Sequence, residues 1–147
     1  MSNAAPQLPT KSYDWTNITL VWGSLTGLLG GAESAKVMRA EDGWTEHVAT
    51  DGTVTRVRNN NRLGGLEVVF GLNAPAMDLL SQQAQLDESA GTAAYPFELR
   101  DSGGRTVASG PLAWIKKFPD VEYGKEASTR TFVFTIDKIS IFVGGLS

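Results

Sequence analysis

The stretch 35–72, AKVMRAEDGWTEHVATDGTVTRVRNNNRLGGLEVVFGL, constrains the fold more than any other part of the chain. Strand-like segments follow one another there with almost no space between them. Trp44, His47 and Val48 lead into Asp51-Gly52, the dipeptide that most favours a tight hairpin. Residues 53–58 alternate, with Val54 and Arg56 on one face and Thr53, Thr55 and Val57 on the other. Both faces carry β-branched residues, so neither reads as fully open to water. A polar knot, Asn59-Asn60-Asn61-Arg62, and Gly64-Gly65 precede a strand over 66–72 with Val68, Phe70 and Leu72 on one face. The expected result is an antiparallel meander. A lone hairpin is marginal in water, so more strands or partner chains must complete it.

The remaining segments supply those strands. Residues 1–13 are small, polar and Pro-containing and read as a flexible arm preceding a single domain over 14–147. Residues 13–22 form a first strand, with Ile18, Leu20 and Trp22 on one face. The Gly-rich run 23–31 lacks the Lys and Ser/Thr of a phosphate loop, so it reads as a turn and bulge before a short strand at 35–40. Residues 73–86 are the one helix candidate, with Asn73 as cap, Pro75 in the first turn and Met77, Leu80 and Ala84 on one face. Further strands fall at 95–101, 105–108, 112–118, 129–136 and 139–143. About nine or ten short strands with one helix predict a mainly β protein, an antiparallel β-sandwich or barrel with one short flanking α-helix.

Composition narrows the chemistry. There is no Cys and a single histidine, His47, so disulfides, thiolate metal sites and the usual zinc sites are excluded. His47 with Ser24 or Ser34 and Asp51 makes no recognisable triad, since no G-x-S-x-G elbow is present and Asp51 sits in a turn. The acidic pairs Glu41-Asp42 and Asp87-Glu88 lie in loops and read as solvated charge. No catalytic, cofactor or metal residue can be nominated, which points to a structural or binding protein. The net charge of −3 disfavours a general affinity for nucleic acid. The N-terminus does not read as a signal peptide, and no apolar run reaches the roughly 18 residues that span a bilayer, so a soluble, non-secreted domain without membrane association is expected. Several strands are apolar on both faces, and a symmetric oligomer would bury the second face and cover sheet edges.

Several motifs, in this order, resemble a family of bacteriophage structural proteins assigned to the tail tube of contractile-tailed phages. They are Ile18-Thr19-Leu20, Asp51-Gly52 with Thr55-Arg56-Val57, Leu72-Asn73-Ala74-Pro75 with Leu79-Leu80, Phe97-Glu98-Leu99-Arg100-Asp101 with Gly103-Gly104, and Val143-Gly144-Gly145. The most specific is Ala113-Trp114-Ile115-Lys116-Lys117-Phe118-Pro119-Asp120. The segment 23–36 departs from the family pattern in being rich in Gly, Leu and Ala. The resemblance implies a protomer without catalytic residues or cofactors that forms hexameric rings. These would stack into a tube inside a sheath, with tail sheath, baseplate and tail-terminator proteins as partners. Genome DNA would pass through the bore without specific binding, along a polar, non-basic wall. The implied location is the virion tail, assembled in the host cytoplasm. The arm 1–13 and the stretch 38–65 are the candidate ring-to-ring contacts, with Tyr13, Trp15, Trp44, His47, Arg56, Arg58 and Arg62 as candidate contact residues. Two other readings are the tube protein of a related contractile secretion particle and, from another class, a monomeric β-sandwich module that presents Trp15 or Trp44 to a carbohydrate or cell surface.

Overall fold

The computed structural model describes residues 14–101 and 103–143. The arm 1–13, with Tyr13, and the tail 144–147 lie outside the described residues. A single 3-10 turn, Trp15–Asn17, is capped by Asp14, whose carboxylate accepts from the Thr16 amide. It replaces the first half of the strand expected at 13–22, leaving β1 at Thr19–Trp22. Then come β2 (Ala32–Arg39), β3 (Trp44–Val48), β4 (Val54–Arg58), β5 (Gly64–Phe70), α1 (Ala76–Ala90), β6 (Tyr95–Arg100), β7 (Thr106–Lys117), β8 (Arg130–Asp137) and β9 (Ser140–Ile141).

All named pairings are antiparallel. One seven-stranded sheet runs β1-β6-β7-β8-β5-β2, with β9 added to β7, and β3-β4 form a separate two-stranded sheet. The mainly β architecture with one helix is as expected, but the sheet does not close into a barrel. The turn that precedes β1 reaches the far end strand β2, the Trp15 indole N–H donating to the Ala32 carbonyl at 3.2 Å. A groove of about 460 Å³ lies between them, lined by Ile18, Leu20, Leu29 and Ala32 among others.

Strict alternation builds the core. In β5 and β8 every second side chain is buried, which places Leu66, Val68, Phe70, Phe132, Phe134 and Ile136 on one face. Trp22 joins four strands there. Its N–H donates to the Ala113 carbonyl at 2.8 Å, and its ring meets Tyr95 and Phe134 edge-on at 5.1 and 5.2 Å. Leu28 and Leu80 enter the same cluster, so both the Gly-rich loop and α1 close over the core.

The helix begins later than the sequence suggests. Pro75 is the capping residue and has no side-chain cap bond, so Asn73 does not fill that role. It also runs on to Ala90, where Gly91 adopts a left-handed conformation and its N–H donates to the Asp87 carbonyl. The two strands expected at 105–108 and 112–118 are one strand, β7. Its partner changes from β9 at Ala108–Ser109 to β8 at Leu112, with Pro111 in the gap, where its missing N–H leaves no ladder bond unmade. The expected last strand, 139–143, pairs only at Ser140 and Ile141.

Candidate assembly surface

Between β2 and β5 the chain leaves the main sheet. The Ala40 amide donates to the Leu63 carbonyl at 3.0 Å and closes that ladder; beyond it the chain rises into β3-β4. Every residue of β3 and β4 is exposed. The ribbon is five residues long on each side, roughly 17 Å at strand rise. The meander expected over 35–72 is therefore an interrupted pair, β2 with β5, carrying a free hairpin on its connection.

The hairpin tip differs from a two-residue turn. The Ala49 amide donates to Thr53 O at 2.8 Å and the Gly52 amide donates to Ala49 O at 2.9 Å, with Gly52 at φ +88°. This is a three-residue loop ending in a left-handed glycine, the next commonest solution. The Asp51 carboxylate accepts from the Thr53 amide at 2.9 Å, which holds its pKa below the ordinary value.

Register sorts the hairpin's side chains. Trp44, Glu46 and Val48 share one face with Arg58, Arg56 and Val54; Thr45 and His47 share the other with Val57 and Thr55. Trp44, Val48, Val54 and Val57 are 46%, 63%, 58% and 53% exposed. The Arg56 guanidinium lies 3.9 Å from the centre of the Trp44 ring, a cation–π stack that covers one side of the indole. Aromatic, aliphatic and cationic groups thus share one solvent-facing surface, the composition of an interface centre.

Of the residues nominated from sequence, Trp44, His47, Arg56 and Arg58 come together on this hairpin. Arg62 lies on the segment returning to β5, where its carbonyl accepts from the Ile139 amide. Trp15 is elsewhere and half-buried against its own core. Sequence reasoning passed over Val48 and Val54, because alternation alone does not tell a detached strand from one whose second face is covered. It also passed over Tyr123 and Val121, 84% and 67% exposed on the irregular segment 118–129. That segment is tied down by Arg130, a buried cation that donates to the Ser128 hydroxyl at 2.6 Å and to the Thr129 and Glu122 carbonyls at 3.1 and 3.0 Å. Among the described residues, no three His, Asp or Glu side chains converge as metal ligands.

No protein-family model matches the sequence. By fold, the chain is similar to chains of several solved particles. A chain of the anti-feeding prophage cap, a tube-terminating cap, superposes with a TM-score of 0.55 at 13% identity over 97% of each chain. A chain in the tail of an empty gene transfer agent particle of C6 symmetry gives 0.62 at 11% identity, over 90% of this chain and 100% of that one. At these identities the likeness is one of fold. By sequence, the chain is similar to a phage structural protein, "Structural protein ORF10" of Pseudomonas phage KPP10. The two are 29% identical over 145 residues, covering 92% of this chain and 84% of that protein.

Proposed function

We propose that the chain is a subunit of the inner tail tube of a contractile-tailed phage or a related contractile particle. Six copies form a ring, rings stack, and genome DNA passes through the bore without specific binding. Tail sheath, baseplate and tail-terminator proteins are its partners; it assembles in the host cytoplasm and resides in the virion tail. The observation that carries this reading is the free hairpin. A two-stranded ribbon exposed on both faces and studded with Trp44, Val48, Val54 and Val57 is not self-sufficient in water, and its natural cover is a neighbouring subunit. The unclosed sheet supports it, since β1 and β2 offer edges that a ring would pair. The C6 symmetry of a fold relative supports a ring of six. The mild net charge of −3 suits a conduit that must not retain passing phosphates.

One observation favours a second reading. The match to the tube-terminating cap spans 97% of both chains, so a terminator that forms one ring and does not stack is the runner-up. The carbohydrate module is disfavoured, because Arg56 occupies one face of Trp44 and Trp15 donates its N–H within its own protomer.

Negative-stain electron microscopy with light scattering across a concentration series tests the proposal. Tubes support the tube reading, and discrete single rings turn it to the terminator. A sample that stays monomeric at every concentration overturns both.

A further inference from the structure

We propose that Asn59 is a positioning residue, a clamp that fixes the angle at which the β3-β4 hairpin leaves the sheet. Nothing in the hairpin's own ladder determines that angle, since β3 and β4 pair only with each other. Asn59 sits at the root, directly after β4, and all of its polar groups except the carbonyl are spent there. Its backbone N–H donates to the Gly43 carbonyl at 2.8 Å, extending the ladder one step below Trp44. Its side-chain NH₂ donates to Glu41 Oε2 at 2.7 Å and to the Asp42 carbonyl at 3.1 Å. Its Oδ1 accepts from the Asn61 amide at 2.9 Å, and Asn61 Oδ1 in turn accepts from the Leu63 amide at 3.1 Å.

The amide orientation is fixed by this network, with two acceptors facing the nitrogen and one donor facing the oxygen. One side chain therefore ties the outgoing segment 41–43 to the returning segment 59–61 and links both, through Asn61 and Leu63, to the start of β5. The bond to the Glu41 carboxylate is short and charge-assisted. A docking arm held at one angle before contact loses less freedom on binding. The role of the clamp in assembly rests on the reading given under Proposed function; the clamp itself does not.

A donor–acceptor swap tests it. In the full chain, below any assembly concentration, Asn59→Asp removes the donors and faces Glu41 with a like charge. Amide hydrogen exchange across β3 and β4 is expected to quicken about tenfold, the scale of one lost hydrogen bond, while β5 and β8 keep their protection. Glu41→Ala is expected to do the same without touching Asn59. The double variant Asn59→Asp/Glu41→Gln rebuilds the bond to residue 41 with its direction reversed, though not the one to the Asp42 carbonyl, and is expected to recover part of the protection. Unchanged exchange in both single variants, or no recovery in the double variant, overturns the clamp. The concentration at which rings form is expected to rise in the single variants and fall back in the double one. If the wild type forms no rings at all, the assembly reading fails, and the exchange data still decide the clamp.

Discussion

Gly64 shows how tightly single positions are specified. A methyl group there would stand 2.6 Å from two side-chain carbons of Ile139. Ile139 is only 2% exposed and is held by its amide's bond to Arg62 O, so it cannot retreat cheaply. Gly64→Ala is expected to lower stability by about 1–3 kcal/mol, the cost of overpacking, read as a shift in urea midpoint at constant m-value. Gly43→Ala is the control: its methyl would meet nothing within 4 Å, and the midpoint should hardly move. Asp51 is specified by charge. Its carboxyl titrates below the ordinary 3.8 because the Thr53 amide donates to the ionised form. A depressed folded-state pKa contributes stability that is present above the unfolded value and lost as pH falls through the folded one. The tip of the hairpin should therefore loosen only in acid below about pH 4. NMR shifts of residues 50–53 should report this loosening in the wild type. Asp51→Asn, which keeps an acceptor that does not titrate, should show none.

The elements that the sequence announced are those whose neighbours cover one face only. β5 and β8 alternate apolar inside, and the structure buries every second residue. β3 and β4 alternate as well, yet they stand free, because period two reports extended backbone and not what lies opposite it. The helix start was misread for a related reason. Asn73 has the chemistry of a cap, but Gly71 and Ala74 form their own turn, the Ala74 amide donating to Gly71 O at 3.2 Å, and the helix begins after Pro75. Its end was also misplaced, at residue 86, because the charged pair Asp87-Glu88 looked like loop; the helix runs on to Gly91, whose left-handed φ of +67° is what a C-terminal glycine supplies. The hairpin that gathers the nominated residues was partly legible. Trp44 and Arg56 look like an interface pair in any β chain, whereas the role of Asn59 depends on Glu41, which is distant in sequence and apposed only by the fold. Because β2-β5 pairing is complete below Ala40 and Leu63, the hairpin should be removable. Replacing residues 44–58 by a short turn is expected to leave a folded monomer that melts within a few degrees of the wild type and forms no rings. Gross unfolding in this variant, seen by circular dichroism, would mean that the main sheet depends on the ribbon.

At the scale of the molecule, two regions with different stabilities follow from where the core lies. One buried cluster takes side chains from β1, β5, β6, β7, β8, the Gly-rich loop and α1, with half-buried residues of β2 packed against it, and Trp22 bridges strands far apart in sequence. Such a cluster has no internal seam along which to divide, so the main sheet should unfold in one cooperative step. The hairpin contributes no buried residue and is joined to the rest only at its root. It should open on its own at a much smaller free energy, the behaviour of a low-stability unit. A Trp44→Phe variant separates the two regions, since its remaining indoles report on the main sheet. Its fluorescence and far-ultraviolet melting curves are expected to coincide, while exchange in β3 and β4 runs ahead of exchange in β5 and β8. Assembly should then couple the regions. A ring that buries the hairpin stabilises folded over unfolded chain by mass action, so the melting temperature should rise with protein concentration and stay flat in the hairpin-deleted chain. A wild-type melting temperature independent of concentration, in samples that microscopy shows to contain rings, would mean that the hairpin binds its neighbour too weakly to hold the assembly together.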